Sequence, residues 1–476
     1  MNSRKRKAPA DEVALGGDTA LNTGASSSSN SKYPLTLDNA SPLAVDNYFQ
    51  NLYASEPNFK QLARQDAAFA SFIKEDGKLD FTDPAAMMQL TKTLLMADFG
   101  LRLEMPDDRL CPPVTNRHNY ILWLKGLMDT TSYGPPGRKI CGIDVGTGAS
   151  CIYPLLGATQ RPLHFVATDI DPKSLEYARR NVRLNGLEDR IQILERTVTS
   201  ALIPLSDLEV ESVDFVMMNP PFYSSEDEML SSAKGKGHPP HSACTGAPVE
   251  MVCEGGEVAY IGRMMDESLV FRDRVQWYTA MVGKASSIEA LVDRLRENRI
   301  DNFAVTEFIQ GNKTRRWALG WSFGPMRPSD SVARGIKTAA WKNVLPPPLQ
   351  VVLLSMPAGK EVSPLVTRIT EVVDVLELIS WDWDAETAKG VGRASENVWG
   401  RAWRRKQLRE AKQGPALAGS TEKSDECQIG FAISVEVGKD ETVASLRWVE
   451  GHNHSIFESL CGFLQGKLQG IKDSSN

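Results

Sequence analysis

The run Ile143-Asp144-Val145-Gly146-Thr147-Gly148-Ala149-Ser150 constrains this chain most, because it sets a glycine turn between an apolar strand and a helix. Around it, from Arg138 to about Phe323, strand-like and helix-like stretches alternate, which specifies a parallel sheet flanked by helices. The pattern predicts strands over Lys139 to Val145, Leu163 to Asp169, Ile191 to Leu194 and Val213 to Met218. A helix over Pro172 to Leu184 carries Leu175, Ala178 and Val182 on one side and stops at Asn185-Gly186, a good C-cap. The order strand, glycine turn, helix, strand, acid, helix, strand opens a Rossmann-like α/β fold.

Glycine at 146 and 148 lets the backbone come close to a ligand where a Cβ would collide. Asp169 ends the next strand, 23 residues after Gly146, a spacing suited to a carboxylate that grips ribose hydroxyls. This much serves nucleoside cofactors in general, NAD included. Cys151 stands where a third glycine would complete G-x-G-x-x-G, so no pyrophosphate need be cradled and the pattern favours S-adenosylmethionine. Asn219-Pro220-Pro221-Phe222 then follows the apolar strand Val213 to Met218, at the carboxyl end of the sheet where such folds bind ligands. The Asn219 side-chain oxygen and the Pro220 carbonyl can each accept a hydrogen from an exocyclic amine, and Phe222 can stack on a base swung out of its helix or loop. Pro221 completes the rigid turn. The bland reading of the tetrapeptide is a proline turn after a strand. Its place at the fourth strand of a nucleoside-binding sheet favours the catalytic one.

The remaining chain is read as accessory. Residues 1–32 form a Ser-rich tail with the basic run Arg4 to Lys7 and offer almost nothing to bury, so they are expected to be disordered. Residues 33–137 show helical periodicity and form a helical N-terminal cap, with Asp83-Pro84 as one helix start. The Rossmann-like core is read over 138–324. A Pro-rich linker, 325–348, leads to a small α+β domain over 349–470, in which Leu349 to Ser355 and Glu371 to Trp383 look partly strand-like, Cys427 to Val437 and Val443 to Val449 look like strands, and Ile456 to Leu468 looks helical. No apolar run reaches the roughly 18 residues of a membrane span. Seven scattered cysteines without paired spacings fit reduced thiols, and a net charge of -6 leaves any attraction to nucleic acid to local basic patches.

Gly142 to Thr159, Asn219 to Phe222 and Thr306 to Phe323 together resemble the methyltransferase 16 family, the U6 small nuclear RNA adenine N6-methyltransferases. Arg109 to Ile121, Glu254-Gly255-Gly256-Glu257 and Trp277 to Lys284 fit it too. The family is similar to bacterial enzymes that methylate an adenine of 23S ribosomal RNA. The resemblance implies a class I methyltransferase with a seven-stranded, mostly parallel sheet, S-adenosylmethionine as cofactor and structured RNA, U6 first, as partner. It carries cofactor contacts onto Arg117, Gly146, Asp169 and Asn219, with Gly148 and Ser150 in the same turn and Ser200 as a further match. Asp169 replaces the Glu usual in animal members. The nucleus, with the cytoplasm as second choice, is the expected location.

Lys313, Arg315 and Arg316 beside Trp317, and Arg404 and Arg405 within Arg401 to Lys412, mix cations with tryptophan in a way that suits RNA phosphates and unpaired bases. His238, His241, Cys244 and Cys253 match no standard zinc spacing, so no metal is expected, and Tyr223 to Glu254 is read as a mobile loop over the substrate. Two other readings remain at this level. One is a methyltransferase for a protein glutamine or another amide or amine, because the same turn serves any planar nitrogen. The other is a non-catalytic RNA-binding splicing factor that keeps the fold.

Overall fold

A computed structural model describes residues 41–134, 138–234, 246–310, 314–336, 341–413 and 426–469. The basic tail, Lys313, His238, His241 and Cys244 lie outside them. Two sheets organise the chain.

The first holds β1 (Ile140–Val145), β2 (Leu163–Asp169), β3 (Ile191–Glu195), β4 (Val213–Met218), β5 (Val275–Val282), β6 (Phe303–Gln310), β7 (Thr314–Trp321) and β8 (Arg334–Gly335). Their spatial order is β3-β2-β1-β4-β5-β7-β6-β8. Only β7 runs antiparallel to its neighbours. The expected seven strands are there, and a two-residue eighth, β8, pairs parallel with β6 at Val305 and Thr306. Apolar side chains alternate to both faces of the central strands, so the sheet is buried on two sides. Trp277 and Trp321 are fully enclosed.

Local chemistry sets the helix ends. Asp171 caps Pro172–Leu184 by accepting from Ser174 N, and Leu175, Ala178 and Val182 face the sheet. Pro84–Phe99 starts on Asp83 with proline in its first turn and stops at Gly100, which is left-handed. The N-terminal helix Pro42–Asn51 is fastened by Asp46, which pairs with Lys125 at 2.8 Å and with Arg161, a second partner of which is Asp129 at 2.7 Å. The Lys125 and Arg161 side chains are almost wholly buried, so these pairs replace water the charges have lost.

The second sheet is antiparallel and ordered β10-β11-β12-β13-β9. Its strands are β9 (Gln350–Pro357), β10 (Ser380–Asp384), β11 (Lys389–Ala394), β12 (Ile429–Val437) and β13 (Glu441–Glu450). Ser363–Asp374 and His454–Leu468 bury their apolar faces with it, Trp448 stacking on Phe457 at 5.6 Å. Glu371 to Trp383, expected to be partly strand-like, divides in two. Its first part ends a helix whose Leu365, Ile369, Val372 and Val373 recur at helical spacing, and only Ser380–Asp384 is extended.

The described parts of 325–348 are packed rather than free. Arg327, with 2% of its surface exposed, donates from Nε to Gly451 O at 2.9 Å and lies 4.3 Å over the Trp448 ring. Asp330 accepts from Leu349 N, and Trp341 stacks on Trp317. Proline marks chain direction here, whereas buried cation and aromatic contacts hold the segment down.

Candidate active site

The sheet order reverses direction at β1, whose neighbours are β2 on one side and β4 on the other. At such a switch point the connections leave in opposite directions and open a crevice. Val145 pairs with Thr168 on β2 and with Met218 on β4. Gly146, Asp169 and Asn219, each one residue further on, thus emerge side by side at the mouth of that crevice.

A cleft of about 790 Å³ occupies it. Arg117, Gly146, Gly148, Ser150, Asp169, Ser200, Asn219 and Pro221 all line it. Pro220 is buried behind the turn, and Phe222 lies outside the cleft lining, with the Arg316 guanidinium 5.5 Å from its ring centre. The turn is formed by Gly146 and Gly148 at φ of 74° and 64°, conformations that cost other residues energy. Cys151 also takes a positive φ, 50°, where the helix Ile152–Gln160 begins.

Asp169 is committed to the turn as well as to the cleft. Its Oδ2 accepts from Gly148 N at 2.8 Å, and its Oδ1 accepts from Ile170 N and Asp171 N. Burial raises its pKa, and those three amides work against the rise. Asp144, fully enclosed at the end of β1, is pushed up to about 7, chiefly by burial and further by the Asp169 charge. Thr147 beside it opposes the rise, although among the described residues neither Asp144 oxygen nor Thr147 Oγ1 makes a hydrogen bond of full geometry.

Arg117 approaches from the opposite wall. It sits on Val114–Thr130, only 5% exposed, with Nη1 at 3.1 Å from Met281 Sδ and the guanidinium 5.5 Å from the Tyr153 ring centre. Those contacts supply no negative charge, so Arg117 stands at the cleft as a desolvated cation. Asn219 Oδ1 is likewise buried with no hydrogen-bond partner among the described residues. A buried acceptor left open costs about 1–3 kcal/mol, which a bound donor recovers.

Beyond the Asn-Pro-Pro-Phe turn, Tyr223 N donates to Met251 O and Cys253 N to Tyr223 O, so the turn is braced by 251–253. Tyr223 to Glu254, expected as a mobile loop, contains the helix Glu226–Lys234 and the turn Pro248–Met251, with 235–245 outside the described residues. Arg315 is exposed and paired with Glu307 at 2.9 Å, whereas Arg316 is mostly buried, and burial with the nearby Arg117 charge lowers its pKa. Arg404 and Arg405 are exposed on Arg401–Gln413. Among the described residues no group of His, Cys, Asp and Glu has the arrangement of a metal site.

Leu110, Pro112, Tyr153, Glu250, Tyr260 and Arg263 also line the cleft, and sequence reasoning gave none of them a role. Tyr153 falls at the start of the helix after the glycine turn, which is a usable signal. Glu250 comes from a loop remote in sequence and offered none.

A doubly wound sheet of order 3-2-1-4-5-7-6, with a glycine turn, a carboxylate at the end of β2 and an Asn-Pro-Pro turn at one crevice, defines a class I methyltransferase that uses S-adenosylmethionine. Residues 43–325 match the family model Methyltransf_10, described as RNA methyltransferase. The U6 small nuclear RNA (adenine-(43)-N(6))-methyltransferase of Schizosaccharomyces pombe is 35% identical over 399 residues, covering 84% of this chain and 97% of that protein. The RNA N(6)-adenosine-methyltransferase mettl16 of Danio rerio is 34% identical over 88% of this chain and 96% of its own length. Among solved structures, the human METTL16 catalytic domain in complex with a MAT2A 3′UTR hairpin is 39% identical, with a TM-score of 0.51 over 57% of this chain and 92% of that one. The chain belongs to this RNA methyltransferase family, in the METTL16 branch, and is an RNA adenine-N6 methyltransferase.

Proposed function

We propose that the protein methylates the N6 amine of one adenine in U6 small nuclear RNA, in the nucleus, with other structured RNAs as secondary substrates. The U6 assignment rests on relatives such as the Schizosaccharomyces pombe enzyme, whose name specifies that RNA.

When bound, S-adenosylmethionine supplies a methyl group on a positively charged sulfur, and that charge provides most of the driving force. What the chain must do is hold and orient. Arg117 would take the carboxylate of the amino-acid tail, the Gly146–Gly148 turn would admit the nucleoside, and Asp169 would accept from the ribose. Ser150 and Ser200 add hydroxyls along the same wall.

The observation that carries the reading is the open, buried Oδ1 of Asn219 at the cleft wall. An adenine amine is a weak nucleophile because its lone pair is delocalised into the ring. Two fixed acceptors, Asn219 Oδ1 and the Pro220 carbonyl, would pin its two hydrogens and aim the nitrogen, so positioning and preorganised dipoles replace a strong base. Phe222 would stack on the flipped base, and Arg316 beside its ring would meet a nearby phosphate. Arg315, Lys313, Arg404 and Arg405 are assigned to the RNA backbone.

Asn219→Ala tests the central step. Methyl transfer to U6 RNA should fall on the order of 100-fold to 1,000-fold, while RNA affinity stays within about a factor of two. Transfer at near wild-type rate would remove Asn219 from the mechanism. Mapping N6-methyladenosine in U6 RNA with and without the protein tests substrate and position together.

A further inference from the structure

Glu250 stands at the roof of the cofactor cleft without an assigned part. Its Oε2 accepts from Leu110 N at 2.9 Å and from Ala247 N at 3.0 Å, which ties the segment before the Arg117 helix to the loop after the catalytic turn. Its other oxygen, Oε1, faces the glycine turn: a Cβ placed on Gly148 would lie 3.8 Å from it. Gly148 is also the residue whose amide Asp169 Oδ2 accepts. Two carboxylates therefore flank one glycine, each with an oxygen already used by backbone and a lone pair left over.

That pairing is costly on its own. Both groups are buried enough to have raised pKa values, and the Asp169 charge adds to the rise at Glu250. The two amides and the Arg109 charge work against the rise at Glu250, but Arg109 is itself paired with Asp171 at 2.9 Å and Asp108 at 3.0 Å. A ligand that brings neutral hydrogen-bond donors, spaced for two acceptors, relieves the repulsion without importing another charge. A vicinal diol has that chemistry, and bracing alone would need only one Glu250 oxygen.

We propose that Glu250 is a second ribose-binding residue, so that Asp169 and Glu250, facing each other across Gly148, each accept from one hydroxyl of the cofactor's ribose diol. This rests on the assignment of the cleft to S-adenosylmethionine. Because Glu250 is joined through Met251 and Cys253 to Tyr223, a cofactor seated by its ribose also stiffens the turn that holds the target base.

Glu250→Gln is the informative variant. Its amide oxygen can still accept from Leu110 and Ala247, while the side turned to Gly148 becomes an NH₂ that cannot accept. Calorimetry on the full chain with S-adenosylhomocysteine and its 2′-deoxy and 3′-deoxy forms reads the effect without turnover. The variant should bind S-adenosylhomocysteine ~10-fold to 100-fold more weakly than wild type. Against the deoxy form that lacks the Glu250-facing hydroxyl, the two proteins should bind alike. Equal binding of S-adenosylhomocysteine by both overturns the inference alone, and so does an identical loss with all three ligands, which marks a bracing role only. A wild-type protein that binds none of them overturns the cofactor assignment with it.

Discussion

Gly283 shows how a residue outside the cleft can fix the turn beside it. A Cβ there would come within 2.7 Å of the Phe222 ring, and Glu257 holds the same residue by accepting from Gly283 N at 2.6 Å and Lys284 N at 3.0 Å. The ring and its shelf are thus fixed together. Gly283→Ala should displace Phe222 and lower kcat/KM for RNA on the order of 100-fold, with cofactor affinity unchanged by calorimetry. Asp144 makes a prediction in pH. Its folded pKa of about 7 exceeds the ordinary 3.8, so between those values the native state holds a proton the unfolded chain has released. The stability this group contributes is complete at low pH and is lost as pH rises through that window, by roughly 4 kcal/mol in all. In the ligand-free protein, Asp144→Asn should raise the urea midpoint at pH 8 and lose its advantage near pH 4. A constant difference across pH would mean that the carboxyl is ionised in the native protein throughout.

Among elements, the four strands and one helix around the glycine turn were legible because each buries an unbroken apolar run or a one-sided stripe between strong stop signals. β2, β4 and Pro172–Leu184 begin and end where their sequence patterns do. The helix Ser363–Asp374 was not, since its β-branched Val366, Thr367, Ile369, Thr370, Val372 and Val373 read locally as extended and only burial of one face against the second sheet makes them helical. Arg401–Gln413 is the opposite case, a helix carrying exposed cations, with Lys406 4.9 Å from the Trp403 ring centre. Replacing Arg404 and Arg405 by Glu should weaken RNA binding and cut the slope of log affinity against log salt by about 1.5, for two lost phosphate contacts. Cofactor affinity should not move. An unchanged RNA dissociation constant at matched salt would assign this face to solvent alone.

Across the whole molecule, the second sheet is fastened to the first unit by buried and part-buried polar contacts. Arg327 reaches Gly451 and Trp448, Arg447 Nη2 donates to Arg327 O at 3.1 Å, and Tyr133 donates to Glu450 at 2.9 Å. Arg327→Ala should leave Gly451 O without its donor, cost about 3 kcal/mol and expose 325–348 to limited proteolysis. Unchanged cleavage would show that the remaining contacts suffice. Sequence alone specifies the doubly wound core, the glycine turn, the acid that ends β2 and the Asn-Pro-Pro-Phe turn, because each is written in a short window whose backbone and burial demands are local. It could not place Glu250 over Gly148, set Gly283 beneath Phe222 or turn a proline-rich stretch into a packed seam. Those depend on segments far apart in the chain, and only the order of strands in the sheet and the docking of one layer on another brings them within hydrogen-bonding reach.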